Sequence, residues 1–179
     1  MKKPRLSLLA VSAFALLFGG CGKKDPAANA PGASTTATSP GVDKSAAAPA
    51  PASGRPIEIT GNDTMKFSIT EIRAKPGEAL SVTLLNIGTM PKFSMGHNWV
   101  LLKKETNIDE FVAEGAQAAT TDYIAPNRKN EMLAHTKLLG PKEKDTVTFQ
   151  APKAPGRYPF ICSFPGHYQV GMKGELIVE

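Results

Sequence analysis

The residue types best suited to chemistry in this chain of 179 residues lie together in one short segment near its end. Cys162, His167 and Met172 place a thiol, an imidazole and a thioether on this segment, and Pro165 and Gly166 fix bends between them. One cysteine, two histidines and a weakly bound methionine form the donor set of a mononuclear blue-copper site. The segment therefore predicts a metal site whose second histidine comes from elsewhere in the chain.

Two other histidines, His97 and His135, are available as the second imidazole. His97 lies in the sequence MGHNWV, where we predict that it opens a strand, whereas His135 has no partner histidine at ligand spacing. The sequence therefore favours His97. Asn98 follows it directly, and we expect the Asn98 side chain to make a hydrogen bond that ties the ligand-bearing segments together.

Other roles for Cys162 explain the same residues less well. A buried structural thiol would leave the histidine and methionine at ligand spacing unexplained. A nucleophilic cysteine needs an accessible thiolate, but Cys162 directly follows the apolar strand end at 158–161. Zinc could bind the same cysteine and histidines, although the methionine favours copper. A binuclear copper centre would need two cysteines in this segment, which has one.

The elements that must position these residues are short strands separated by turn residues. One helix is predicted to begin with a cap at Thr106 or Asn107 and to run through 111–119. Strands of this number and length indicate an all-β fold, a Greek-key sandwich or barrel of about eight strands with one short helical flap. The predicted strands are 57–60, 66–69, 72–74, 80–86, 98–102, 146–150, 157–161 and 174–178.

The formal net charge of +5 comes from the first 56 residues. From residue 57 onward the chain has 14 Lys or Arg and 14 Asp or Glu, without a basic run, which excludes nucleic acid as a partner. We predict a signal peptide over 1–20, a lipidated cysteine with a disordered Ala/Pro/Ser-rich linker over 21–56, and a folded domain over 57–179.

The N-terminus has the organisation of a bacterial export signal, with a basic start, an apolar stretch at 6–18 and small residues before Cys21. This stretch is too short to span a bilayer as a permanent helix. The residues ending at Cys21 resemble a lipobox, which predicts a membrane anchor through a lipid on Cys21; ordinary signal cleavage is the alternative. Gly22 follows this cysteine at the position where an Asp would indicate retention in the inner membrane, so the resemblance to bacterial lipoproteins favours the outer membrane. A disulfide between Cys21 and Cys162 is not expected, because each cysteine has a local role.

Five segments resemble azurin in the same order along the chain, so that 57–179 is similar to the azurin-like cupredoxins and the first 56 residues are not. The spacing of the ligand loop departs from azurin: four residues instead of three separate His167 from Met172, as in auracyanins. Azurins commonly have a disulfide near the N-terminus, and this chain has no cysteine between Cys21 and Cys162 that could form it. The similar segments are GNDTMKF (61–67), MGHNWVL (95–101), AHTKL (134–138), EKDTVTF (143–149) and CSFPGH (162–167).

This resemblance implies one type 1 copper ion with three strong ligands, a weak axial ligand and a backbone carbonyl on the opposite side. It places His135 on the surface, outside the metal site. The strong ligands are His97, Cys162 and His167, the axial ligand is Met172, and the carbonyl belongs to Gly96.

The resemblance further implies one-electron transfer by a copper site cycling between Cu(II) and Cu(I), without enzymatic turnover. Redox proteins such as cytochromes or copper reductases would dock weakly near His167, on an apolar collar. With the export signal, this predicts a location on the periplasmic face of a bacterial membrane. The collar consists of Phe164, Pro165 and Gly166 with Met65, Met90 and Met95 from other loops.

Two other functions are compatible with the same fold. A protein that sequesters or delivers copper would be expected to have a flexible tail rich in methionine and histidine, and residues 22–54 contain neither. A surface interaction protein would bind its partner without needing copper. The composition of the linker favours electron transfer over copper delivery.

Overall fold

The computed structural model describes residues 54–179, so the predicted signal peptide and most of the predicted linker lie outside the described residues. The first strand begins at Arg55, two residues before the expected start of the domain. The strands are β1 (Arg55–Gly61), β2 (Glu71–Ala74), β3 (Ala79–Asn86), β4 (Val100–Leu102), β5 (Met132–His135), β6 (Lys144–Gln150), β7 (Gly156–Ile161) and β8 (Lys173–Val178). The helices are α1 (Lys92–Met95) and α2 (Ile108–Gly115), and 3-10 turns occupy Ala119–Thr121 and Pro126–Glu131.

These strands of the described residues form two sheets, which confirms the predicted all-β sandwich. One sheet has the strand order β1-β3-β6 and the other has the order β2-β8-β7-β4-β5. β1 pairs with β3 and β2 pairs with β8 in parallel, and the remaining pairs are antiparallel. Most neighbouring strands are not consecutive in the chain, as Greek-key connections produce.

The main core lies between the two sheets and follows from the period-two pattern of the strands. In β3 the buried apolar side chains are those of Leu80, Val82 and Leu84, and they alternate with partly exposed ones. Aromatic rings from both sheets meet at Trp99, which packs on Phe149 of β6 and Phe160 of β7 with centroid distances of 5.8 and 5.5 Å. The two sheets therefore share one core.

The helix α2 covers part of the five-stranded sheet. Val100 and Leu102 of β4 and Ile161 of β7 belong to a second apolar cluster with Phe111 and Val112 of α2. All three residues of β4 are buried, since this strand is covered on both faces. The helix is thus the flap that the sequence predicted, and it lies over the strands that lead to the ligand residues.

The predicted helix start is correct, but the predicted end is wrong. Asn107 caps α2 by accepting a hydrogen bond from the Glu110 N–H at 3.4 Å. The helix ends at Gly115, because the next residues close two successive turns before the 3-10 segment begins at Ala119. No helix of the described residues is both long enough and apolar enough to cross a membrane.

The strand predicted over 66–69 is wrong. Only Phe67 pairs there, in a single bridge to Gly61, because Met65 with φ 55° closes a tight turn directly after β1. The Ser68 hydroxyl also accepts the Thr60 N–H at 2.9 Å, in place of a carbonyl of a strand ladder.

The strand β5 and the short helix α1 were not predicted. In β5 only Ala134 is buried, so the segment lacks the alternation of a half-buried strand. In α1 no side chain is buried, so it lacks the apolar face of an amphipathic helix. β5 is instead defined by its pairing with β4.

Candidate metal centre

Three of the predicted ligand residues meet in one buried cluster. Nδ1 of His97 lies 3.2 Å from Nδ1 of His167, and that atom lies 3.5 Å from Sγ of Cys162. The ligand atoms of the three residues all lie within 4.8 Å of one another. His97 comes from a segment 65 residues before Cys162 and 70 residues before His167 in the chain. Together the thiol and the two imidazole nitrogens form a site for one metal ion.

His97 is held by backbone hydrogen bonds to a neighbouring segment. Its N–H donates to the Leu139 carbonyl at 3.1 Å, and the Leu139 N–H donates to the His97 carbonyl at 2.7 Å. The prediction that His97 opens a strand is wrong, since β4 begins three residues later, at Val100. The reason is that the Trp99 N–H donates to the Thr136 hydroxyl at 3.0 Å, which interrupts the ladder.

The other donors lie on the loop 162–172, which connects β7 to β8 and is closed by its own hydrogen bonds. The Cys162 N–H donates to the Met172 carbonyl at 3.1 Å, and the Met172 N–H donates to the His167 carbonyl at 2.9 Å. Two of its residues have a left-handed backbone that favours glycine. These are Gly166 with φ 85° and Gly171 with φ 99°.

The Asn98 side chain links the two ligand-bearing segments, which is the placement that the sequence led us to expect. Its Nδ2 donates to the Ser163 hydroxyl and its Oδ1 accepts the Ser163 N–H, each at 2.8 Å. Both residues are fully buried. Because Asn98 follows His97 and Ser163 follows Cys162, this pair fixes the spacing between the two ligand residues.

Burial dominates the electrostatics of the cluster. It raises the pKa of the Cys162 thiol to about 12, although backbone N–H groups of Asn98 and Phe164 oppose this by hydrogen bonding to the sulfur. Burial also lowers the pKa of His167 to about 4, with a further contribution from His97, whose own pKa burial lowers. Both rings are therefore neutral near pH 7, which leaves one nitrogen of each ring free of a proton and able to bind a metal ion.

Met172 and Gly96, the two predicted axial groups, occupy tightly packed positions. A Cβ on Gly61 would lie 2.9 Å from Cε of Met172 and 3.3 Å from Cδ2 of His97, so Met172 lies beside the imidazole. A Cβ on Gly96 would lie 2.7 Å from the Lys92 carbonyl oxygen, which leaves no room for a side chain. Axial contacts from the Met172 sulfur and the Gly96 carbonyl remain predictions.

The chemistry of the donors tests whether copper fits this site. Within residues 54–179, the cluster contains no carboxylate, which argues against the hard cations that prefer oxygen ligands. A single thiolate with two imidazoles and a nearby thioether is the set that blue-copper sites use. The residues therefore fit one copper ion.

Comparison with known proteins leads to the same cofactor. Residues 56–179 match the family described as "Copper binding proteins, plastocyanin/azurin family". The chain belongs to this family. The sequence-based resemblance to azurin-like cupredoxins is thus confirmed, and a single type 1 copper is the cofactor for which its His97, Cys162 and His167 cluster is suited.

Several relatives of this cupredoxin are azurins. The azurin of Pseudomonas denitrificans is 39% identical over 126 residues, which are 69% of this chain and 97% of that protein. The outer membrane protein H.8 of Neisseria gonorrhoeae is 41% identical over 111 residues, which are 61% of this chain and 60% of that protein. The chain thus matches about three fifths of the length of that H.8 protein.

Solved structures give the same fold. An auracyanin from the photosynthetic bacterium Roseiflexus castenholzii superposes with a TM-score of 0.63 at 32% identity, over 71% of this chain and 98% of that one. The azurin Az-iso2 of Methylomonas sp. strain J superposes with a TM-score of 0.61 at 33% identity, over 69% and 97%.

The predicted collar is exposed in part. Pro165, Gly166 and Met90 are exposed, whereas Met65 and Met95 are partly buried. Phe164 is buried, with its ring centroid 4.6 Å from that of His167. Phe164 therefore supports the imidazole from inside and contributes little to the surface.

Three exposed apolar side chains, one on α1 and two on loops, were missed by sequence reasoning. Phe93 of α1 is 82% exposed, Ile87 is 52% exposed and Val170 is 48% exposed. Their signal in the sequence was apolar residues inside turn-rich segments, where no core pattern explains them. We call Ile87, Met90, Phe93 and Val170 the apolar face.

Proposed function

We propose that this cupredoxin transfers single electrons between redox partners, its copper cycling between Cu(II) and Cu(I), and that it turns over no substrate of its own. The observation that carries the proposal is a buried donor set held by hydrogen bonds that do not involve the metal. Copper, when bound, supplies a one-electron couple. A site whose ligands are already fixed by the protein changes little between oxidation states, which favours fast electron transfer.

The residues around the cluster have definable tasks in this function. Burial of Cys162 and His97 keeps water from the donor atoms. Backbone hydrogen bonding by Asn98 and Phe164 lowers the pKa of the Cys162 thiol against the larger effect of burial, and so favours its anionic form. The bond between Asn98 and Ser163 keeps the two ligand-bearing segments at one separation in both oxidation states.

The first test is spectroscopic. Copper(II) added to the metal-free protein should give an intense thiolate-to-copper band in the visible range and a narrow parallel hyperfine splitting in the EPR spectrum. Cys162→Ser should abolish the band. His135→Ala is the control, since His135 is exposed on β5, and it should leave the band intact. A wide hyperfine splitting in the wild type, or loss of the band in His135→Ala, would contradict the proposal.

A second measurement separates electron transfer from copper delivery. Electron self-exchange should be fast, and copper should leave slowly when a chelator is added, because the site is buried and braced. Rapid transfer of copper to the chelator together with slow self-exchange would favour delivery as the function.

We place the docking site for redox partners, such as cytochromes or copper reductases, near His167 on the apolar face. Three loops adjoin there: the Asp63 carboxylate accepts hydrogen bonds from Thr89, and the Lys66 ammonium donates to the Val170 carbonyl. Exposed apolar side chains grouped on adjoining loops are typical of a surface for weak association.

Phe93→Ser tests this docking site. It should slow reduction of the copper protein by a cytochrome about fivefold, equivalent to roughly 1 kcal/mol for one apolar contact residue. Leu133→Ser is the matched control, because Leu133 is 37% exposed on β5 and lies outside the apolar face. Equal rates for the two variants would place the docking site elsewhere.

We propose that the domain is held at the periplasmic face of a bacterial membrane, with the outer membrane favoured, by a lipid on Cys21. The export signal and the residues before Cys21 support this, and one relative carries the name outer membrane protein H.8. Metabolic labelling with palmitate should tag the wild type and fail to tag Cys21→Ala. An unlabelled wild type would reduce the proposal to secretion without an anchor.

A further inference from the structure

Two consecutive residues far from the ligands in sequence, Asp122 and Tyr123, have left-handed backbones. Their φ angles are 56° and 59°, a conformation that is unfavourable for the bulky side chain of Tyr123 and is adopted more readily by aspartate. Strain of this kind persists only where surrounding contacts enforce it, and it concentrates at functional sites. The two residues form a turn that follows the 3-10 segment Ala119–Thr121.

Contacts with α2 and within the turn enforce this conformation. The Tyr123 N–H donates to the Ala118 carbonyl at 3.0 Å, and the Thr121 hydroxyl donates to the Ile124 carbonyl at 2.7 Å. A Cβ on Gly115, the last residue of α2, would lie 2.5 Å from the Tyr123 carbonyl oxygen. The helix end therefore packs directly on the backbone of the turn.

The turn contacts the residue that follows each of two ligands. The Asp122 carbonyl accepts a hydrogen bond from Asn98 Nδ2 at 3.0 Å and one from the Ser163 hydroxyl at 3.4 Å. The Asp122 carboxylate accepts the Leu138 N–H at 3.2 Å. Leu138 precedes Leu139, whose backbone is bonded to His97 in both directions, so Asp122 joins three segments of the site.

The Tyr123 ring extends the same support to the third ligand. It packs edge-on against Phe164 with a centroid distance of 4.9 Å, and Phe164 lies 4.6 Å from the ring of His167. The turn thus acts through Asn98 on His97, through Ser163 on Cys162 and through Phe164 on His167.

We propose that the turn of Asp122 and Tyr123 is a positioning element that sets the geometry of the metal site from outside the ligand set. Its backbone strain is retained because a relaxed turn would move the Asp122 carbonyl and the Tyr123 ring away from their partners. The inference rests on the proposed copper function for its spectroscopic readouts. Hydrogen exchange of the metal-free protein tests the same contacts independently of that function.

The Tyr123 ring is tested with a pair of variants. Tyr123→Leu should widen the parallel hyperfine splitting, shift the reduction potential and slow electron self-exchange about threefold or more. Tyr123→Phe should restore the wild-type values, because the phenol oxygen is in none of the contacts described above. Tyr158→Leu is the matched control: Tyr158 is a buried core tyrosine near the start of β7, and its loss should lower the melting temperature without altering the spectrum.

The Asp122 carboxylate is tested in the metal-free protein. Asp122→Ala removes the acceptor of the Leu138 N–H and should speed exchange of that amide about tenfold, the factor for one lost hydrogen bond. Asp122→Asn keeps an acceptor oxygen and tolerates the left-handed backbone, so it should restore slow exchange. The Ser163 amide, bonded to Asn98, should respond in the same direction.

The outcomes separate this inference from the proposed function. If Tyr123→Leu changes the melting temperature and leaves the potential and the spectrum as in Tyr158→Leu, the turn is only structural and the inference fails. If Asp122→Ala exchanges at the wild-type rate, the inference fails as well. A wild-type protein without a blue-copper spectrum would overturn the proposed function, and the exchange result would still decide the role of Asp122.

Discussion

The two segments that carry the ligand residues are held in contrasting ways. His97 lies on a segment bonded to Leu139, so its position depends on contacts distant in sequence. The loop 162–172 is closed by its own hydrogen bonds and by glycines with positive φ, so much of its shape is local. The comparison shows that a locally folded loop still needs a separate link, here between Asn98 and Ser163, to place its donors against a ligand on another segment.

The contrast predicts that the His97 segment tolerates an added side chain less well than the loop 162–172 does. Gly96→Ala places a Cβ 2.7 Å from the Lys92 carbonyl oxygen and 2.9 Å from Cγ of Leu138, so the backbone of α1 must move. We expect the free energy of unfolding of the metal-free protein to fall by about 2 to 3 kcal/mol, measured by urea denaturation. If Gly96→Ala lowered the free energy of unfolding by less than Gly166→Ala in the ligand loop does, the comparison would be reversed.

In the ligand loop, an added side chain should lower stability through the backbone conformation that it disfavours. Gly166 has φ 85° and nothing within 4 Å of an added Cβ, so Gly166→Ala meets strain without a clash. We expect a loss of about 1 kcal/mol in the same urea experiment. Gly166→Asn should lose less, since asparagine tolerates this conformation better. Equal stability of wild type and Gly166→Ala would show that the loop relaxes freely.

Replacing Met172, at the end of the loop, should shift the reduction potential while changing the free energy of unfolding only slightly. Met172→Leu nearly conserves volume in a fully buried position and should cost less than about 1.5 kcal/mol. With the proposed weak axial role, the reduction potential should shift while copper stays bound, measured by redox titration and metal analysis. Complete loss of copper would contradict that role and make Met172 a strong ligand.

The smallest expected effect is a pH dependence of the free energy of unfolding that arises from Asp63, in a loop beside His97. The Asp63 carboxylate accepts hydrogen bonds from the Thr89 N–H and hydroxyl at 2.8 Å each, which lower its pKa. A carboxyl whose folded-state pKa is depressed stabilises the fold above the unfolded value of about 3.9 and loses that effect as the pH falls through the folded value.

Asp63→Asn should therefore be slightly less stable than the wild type at pH 7, and the difference should vanish in acid below the folded-state pKa of Asp63. Urea denaturation of both metal-free proteins across this range measures it. A difference that is independent of pH would show that the charge of Asp63 contributes nothing.

Sequence reasoning succeeded where spacing or alternation is itself the cause of the structure. The strands predicted over 80–86 and 146–150 are present as β3 and β6, and the burial of their residues alternates with the period of two that a strand with one inward face has. It failed at 66–69, where the backbone turn at Met65 overrides a strand-like composition. It missed β5, an edge strand with one buried side chain, because such a strand is defined by its neighbour β4.

The same division applies to the site. The types of donor, their order along the chain and the glycine bends of the ligand loop follow from the sequence by itself, because each depends on one residue or its immediate neighbours. Tertiary structure decided that the Nδ1 atoms converge, that Phe164 is buried, and that Asp122 reaches Asn98 and Leu138. These contacts join residues as far as 70 positions apart, and only the packing of two sheets and a helix determines which side chains then meet.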